Sequence, residues 1–165
     1  MNAGPIKTLG YLNPPWQPTY GYAHVEKIGD HVHIAGQMSH DTAGNLVGPA
    51  PVDANGLPTD YSNMALQLRV AYANASKLLA LLGGSLDDVI EETLYVANLG
   101  AAIHVIGAAR KQAYSNPWPS CKSRLVKAPR LLFPEQLVEI ALTADLSIHA
   151  AHLGSIQRPQ HLGEN

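Results

Sequence analysis

An α+β domain is what this sequence predicts, and three observations predict it. Two segments carry apolar residues at helical spacing, while several short runs alternate with a period of two. These elements follow the order ββ(β)αβαββ, which suits a mixed sheet with both helices packed on one face. The chain of 165 residues is long enough for a single domain with a real core.

Residues 1–19 hold Gly4, Pro5, Gly10, Pro14, Pro15 and Pro18 and read as an irregular arm that Tyr11 and Trp16 can pin to a surface. Gly29-Asp30 is a turn between two strand-like runs. In the second run Val32, Ile34 and Gly36 share one face, and His31, His33, Ala35 and Gln37 share the other. Gly44-Asn45 marks a further turn, and residues 48–58 form a Pro/Gly loop. From Tyr61 to Leu82 the period becomes helical, with Met64, Leu68, Ala71, Tyr72, Ala75, Leu78, Leu79 and Leu82 on one stripe. Gln67, Asn74 and Lys77 fall mostly off it. Thr59 or Asp60 is placed to cap this helix, and Gly83-Gly84 to stop it. A strand follows over Val89 to Val96. A second helix spans Ala101 to Tyr114 with Ile103, Ile106, Arg110 and Tyr114 at helical spacing. Two strands close the domain, near Cys121–Lys127 and Gln136–Leu146, and the tail 147–165 reads as frayed.

Composition narrows the function classes. Hydrophobic residues make up 46% and charged residues 15%, so much apolar surface needs cover, which favours an oligomer. The sheet face away from the helices carries His31, His33, Glu139 and small residues, with no helix left to cover it. Sites between subunits are therefore expected. The net charge is −2, from 11 Lys and Arg against 13 Asp and Glu, with no basic run, so a nucleic-acid partner is not expected. One cysteine rules out a disulfide framework and a cysteine-based zinc site. With no leader pattern and no apolar run long enough for a bilayer, a cytoplasmic protein without a membrane partner is expected.

The candidate site residues come from the closing strands and the start of the sheet. Glu139 interrupts the apolar alternation of the last strand, where a carboxylate must be solvated in a cleft, paired or buried at a cost. An ion pair with Arg124, Lys127 or Arg130 is the structural alternative to a catalytic role. Cys121, just after Pro117-Trp118-Pro119, is either a thiolate nucleophile beside Lys122, Arg124 or His24, or a small buried hydrophobe. Tyr22 can orient a substrate or pack at a turn, and His24 can exchange protons near neutrality. Gly36 allows close approach of the backbone to a ligand or to a neighbouring strand. His31 and His33 share a face at a metal-binding spacing, but no third ligand is identifiable, so no metal is expected.

Four motifs resemble the RidA/YjgF superfamily, whose members are also called L-PSP endoribonucleases. They are Gly29-Asp30-His31-Val32-His33-Ile34-Ala35-Gly36-Gln37, the pair Gln67 and Asn74 seven apart, Gly83-Gly84-Ser85-Leu86-Asp87-Asp88-Val89, and Phe133-Pro134-Glu135-Gln136-Leu137-Val138-Glu139-Ile140. The resemblance covers roughly residues 20–146. It implies a chorismate-mutase-like fold, a homotrimer with clefts between neighbouring sheets, and hydrolysis of amino-acid-derived imines and enamines without metal or organic cofactor. It also implies that Glu139 holds water and that Tyr22 lines the cleft. Where such proteins carry a carboxylate-gripping arginine, this chain has Pro119-Ser120-Cys121. A thiol cannot give the two parallel hydrogen bonds of a guanidinium, so Arg124 or Lys122 is expected to reach the gap through a bulge.

The expected function is hydrolysis or deamination of a small imine, enamine or amide-like metabolite, with Glu139, Tyr22 and Cys121 catalytic and Arg124, Gly36 and His24 binding substrate. A non-catalytic trimeric module that binds a small molecule or stabilises a protein is the alternative. A ribonuclease is disfavoured by the acidic balance.

Overall fold

The structure is a computed structural model that describes residues 4, 6–114, 116 and 118–148. Its logic shows in the last strand, β6 (Val138–Asp145). Val138, Ile140, Leu142 and Ala144 are buried, whereas Glu139, Ala141, Thr143 and Asp145 are only partly covered. One face of the sheet therefore carries the core and the other is open. β6 sits at the centre, between β3 (His31–Gln37) and β4 (Val89–Val96). With β1 (Lys7–Gly10), β2 (Val25–Ile28) and β5 (Lys122–Lys127), the sheet order is β1-β2-β3-β6-β4-β5. The pairs are antiparallel except β4–β5, which is parallel and needs a crossover.

That crossover is helix α3 (Leu99–Ala113), which packs beside α2 (Met64–Leu81); a one-turn helix α1 (Gln17–Tyr20) lies in the N-terminal arm. The apolar stripe of α2 is buried as its spacing predicts, from Met64 to Leu79. The fold is thus a mixed α+β sheet with two long helices on one face, as expected.

Several details differ from the sequence reading, each for a local reason. The arm is not wholly irregular, because Lys7–Gly10 pairs with β2 in register Lys7↔Ile28 to Gly10↔Val25. Helix α2 begins three residues later than the period suggests, with Asn63 at the N-cap making no side-chain capping bond; its amide donates instead to the Pro49 carbonyl at 3.2 Å. Asp60 instead takes Ser62 in a local turn, accepting from its N–H at 2.9 Å and its hydroxyl at 2.8 Å. In α3 the buried face is Ala102 and Ala109, while Ile103 is 63% exposed. The small side chains let α3 lie close against α2, and that leaves the larger Ile103 on the outside. Gln67 and Asn74, which fall off the apolar stripe, are buried as well. Gln67 donates to the carbonyls of Gly48 (2.7 Å) and Glu135 (3.1 Å) and accepts from the Leu137 N–H at 2.8 Å. Asn74 donates to the carbonyls of Met38 and His40. These two amides supply hydrogen bonds to backbone groups of the long 38–63 loop and of the 135–137 segment. The tail expected to fray lies outside the described residues beyond residue 148.

Candidate active site on the open sheet face

Strand β3 pairs with β6 regularly through Ile34↔Leu142 and then slips, resuming at Gln37↔Ile140. The slip is a bulge, and it reverses the expected facing of the last residues. Gln37 turns inward to 1% exposure, and Gly36 comes to lie against Glu139. A Cβ at position 36 would overlap the Glu139 carboxylate and stand 2.7 Å from its Cγ. Only glycine leaves the space in which this carboxylate lies.

Glu139 is half-buried in this position. Burial pushes its carboxyl above the ordinary value, and the Gln136 amide partly offsets the rise. None of the ion pairs among the described residues involves Glu139, so the structural alternative of a salt bridge is not what holds it. On its other side β6 pairs with β4 in register Glu139↔Tyr95. Tyr22, just before β2, is raised above the ordinary phenol value, first by burial and then by the Glu139 and Tyr20 charges. Its hydroxyl therefore stays protonated at neutral pH, a neutral donor within electrostatic reach of a carboxylate.

Tyr22 also lines a groove of about 830 Å³ along the first three strands, with Lys7, Tyr11, Glu26, His33 and Ala35. Glu139 is not among its walls. Carboxylate and groove are neighbours joined at Tyr22 and at the bulge, where Ala35 lines one and Gly36 touches the other.

The remaining predicted residues fall elsewhere. Arg124 is on the open face, in register with Thr93 of β4, and Thr93 in turn faces Ala141. It is thus two strands from β6, roughly 10 Å across the sheet, and it is ion-paired with Glu91. Lys122 joins the same carboxylate at 2.9 Å. Arg130 donates to the Asn55 carbonyl at 2.8 Å. Within one chain none of these cations meets Glu139.

Cys121 is on the helix-covered side. Its thiol donates to the Tyr114 hydroxyl at 3.4 Å and packs against the core. Burial raises the thiol, and the Tyr114 hydrogen bond and Arg110 offset this only in part. It belongs to a cluster the sequence reading missed, centred on Glu92, which is fully buried. Glu92 accepts from Tyr72 (2.8 Å), Tyr114 (3.0 Å) and Arg110 Nε (2.5 Å). Arg110 also reaches the Ser123 hydroxyl at 2.5 Å. The signal that was available is Glu91-Glu92 at the start of an apolar strand, where alternation must turn one carboxylate inward. The expectation that Cys121 lines the cleft with Glu139 is corrected by this geometry: the two residues lie on opposite faces of the sheet.

His24 is 1% exposed, too deep to touch a ligand directly. His31 and His33 are exposed on the open face, and His31 Nδ1 stands 3.7 Å from Asp145. Among the described residues no group of three or more His, Cys, Asp or Glu is placed to hold a metal ion. No described helix is long and apolar enough to cross a membrane.

A family profile described as Endoribonuclease L-PSP matches residues 14–146. The chain belongs to the RidA/YjgF superfamily. No curated protein matches its sequence significantly. Solved structures agree on the fold. A protein of unknown function from Pseudomonas aeruginosa is 24% identical with a TM-score of 0.68, covering 87% of this chain and 95% of its own. A YjgF/YER057c/UK114 family member from Mycobacterium tuberculosis is 22% identical at 0.65, covering 85% and 99%. RidA from an Antarctic Psychrobacter is 21% identical at 0.66, covering 84% and 98%. The RidA-like fold extends over most of this chain, and at these identities the likeness is one of architecture.

Proposed function

We propose that this RidA-family protein is a cofactor-independent hydrolase that deaminates a small imine or enamine. The observation that carries the reading is Glu139, a half-buried carboxylate with a raised pKa and no cation paired to it among the described residues, in a space kept open by Gly36. A carboxyl in that condition exchanges protons near neutrality better than a solvated one. For an enamine, the protonated carboxyl delivers a proton to carbon and leaves an iminium. The resulting carboxylate then takes a proton from water as its oxygen bonds to the iminium carbon. The carbinolamine collapses, the C–N bond breaks and ammonia departs, leaving a carbonyl product. Tyr22, held neutral, donates a hydrogen bond that orients the substrate.

The proposed assembly is a homotrimer whose clefts form where open sheet faces meet. That assembly supplies what one chain lacks. Arg124 stands two strands from Glu139 in its own protomer, so it would meet a substrate carboxylate from a neighbour. Cys121 takes no catalytic part in this scheme, since its thiol is committed to Tyr114 on the other side of the sheet. The arrangement also favours a second reading: Arg124 is already neutralised by Glu91, which suits a trimeric module that binds without turnover.

Incubating the protein with enzymatically generated 2-iminopropionate separates the two. Hydrolase action predicts pyruvate and ammonia release that scales with protein concentration. Release no faster than in protein-free buffer, across several small imines, leaves the binding reading.

A further inference from the structure

His24 is buried but does not belong to the apolar core, and its contacts come mainly from the N-terminal arm. Its Nδ1 accepts the Leu12 backbone N–H at 3.0 Å, so that nitrogen carries no proton and the ring is the neutral Nε2–H tautomer. Three aromatic rings from residues 11–22 surround it. Tyr22 stands at 5.5 Å edge to face, Trp16 at 6.1 Å edge to face, and Tyr11 at 6.5 Å tilted. Among the described residues Nε2 has no partner.

The same residues shape the groove. Tyr11, Gln17 and Tyr22 line it, and Gln17 fixes the return of the arm by donating to the Tyr22 carbonyl at 2.9 Å. The far end is tied at Trp16, whose indole donates to the Gly44 carbonyl at 2.9 Å and whose ring stacks edge-on against His40 and Phe133.

We propose that residues 11–22 are a proton-operated clasp over the groove, closed by neutral His24 and released when its imidazole is protonated. Protonation puts a hydrogen on Nδ1, where the Leu12 N–H already points, so an acceptor becomes a second donor. It also places a charge where there is almost no water. The titratable neighbours do not relieve it. Tyr22 is a neutral phenol, Tyr11 presents only a tilted ring at 6.5 Å, and His40 from beyond β3 adds a like charge when protonated. Glu139 of β6 acts on Tyr22 and is not among the groups that shift His24. Burial first, and His40 second, hold the imidazole below the ordinary histidine value. The closed arm therefore binds fewer protons than the released arm. Closure is fully stable above the ordinary histidine pKa of about 6.5 and weakens as pH falls through and below it.

The clasp does not rest on the deaminase reading, because its test reads the arm itself. In a Trp118→Phe background Trp16 is the only tryptophan. Its fluorescence, recorded from pH 8 to 4.5 with far-UV circular dichroism alongside, is expected to show one transition below pH 6.5 while secondary structure persists. His24→Asn retains an acceptor oxygen near the Nδ1 position but cannot take up the proton, and it is expected to flatten that transition. His40→Gln is expected to keep the transition and move it to higher pH. A transition unchanged in His24→Asn, or a native chain with no Trp16 change over this range, overturns the proposal. Should His24→Asn fail to fold, hydrogen exchange at the Leu12 amide of the native chain decides. Protection lost selectively between pH 6.5 and 4.5 supports the clasp, and protection retained at pH 4.5 refutes it.

Discussion

At the scale of single residues, the candidate site depends on Gly36 and Glu139 occupying one small volume. Placing a carboxylate there carries a stability cost with a definite sign. The folded pKa of Glu139 is raised by burial, so the folded state binds more protons than the unfolded one between the two pKa values. Stability then falls as pH rises through the ordinary glutamate value of about 4.3 and stays lowered at neutrality. Glu139→Gln is therefore expected to raise Tm at pH 7 and to lose that gain near pH 4; calorimetry at both values checks it. An unchanged Tm at pH 7 would mean the carboxylate is less desolvated than its position indicates. Gly36→Ala acts by volume. Its Cβ overlaps the Glu139 carboxylate, which must swing away, and a displacement of this kind costs about 100-fold in turnover. The variant should keep a native circular dichroism spectrum while losing that activity. Glu139 was legible because a charge in an apolar alternation demands an explanation. The reversal of Gly36 toward it was not, because a bulge between Ile34 and Gln37 leaves no mark on a two-residue period.

At the scale of elements, the β4–α3–β5 crossover is fastened by the buried Glu92 carboxylate, which gathers one donor from α2 and two from α3 and its C-cap. Removing one partner of a buried charge pair strands the other. Glu92→Gln is expected to lower stability by about 3 kcal/mol, read as a lower urea midpoint at unchanged slope. A loss within 0.5 kcal/mol would show the cluster to be ornamental to the fold. The same cluster explains why Cys121 was misplaced by sequence. Its place just before β5 does not by itself give its facing, which is set by pairing with β4, Glu91↔Lys122 through Val96↔Lys127. That register sends Lys122 and Arg124 to the open face and Ser123 to the helices. The strands Val89–Val96 and Val138–Asp145 were legible from alternation, and α2 from its apolar stripe. The burial of Gln67 and Asn74 was not, because it answers backbone groups of two separate segments, around His40 and around Glu135, that periodicity does not connect to the helix.

At the scale of the whole molecule, the two sheet faces are unequal: two helices cover one, and the other presents Glu91, Arg124, Glu139, His31 and His33 with Ala141 and Thr143 between them. The charge-poor composition and this uncovered face together call for neighbouring subunits. Multi-angle light scattering at micromolar concentration is expected to give three times the mass of the 17.6 kDa chain. A mass of one chain would remove the shared cleft from the proposed mechanism. The α+β architecture and its element order were legible in the sequence because each long element keeps its own period. The pairing of the N-terminal arm was not, since four residues between glycines and prolines carry too little pattern to declare a strand.

The most direct test of the account is the rate of imine hydrolysis in Glu139→Gln measured beside the native protein at equal oligomer concentration. Acid–base catalysis by Glu139 predicts a fall in kcat of at least about 100-fold, the range such catalysis supplies, with the oligomer intact. A Gln variant that turns over imine as fast as the native protein would contradict it.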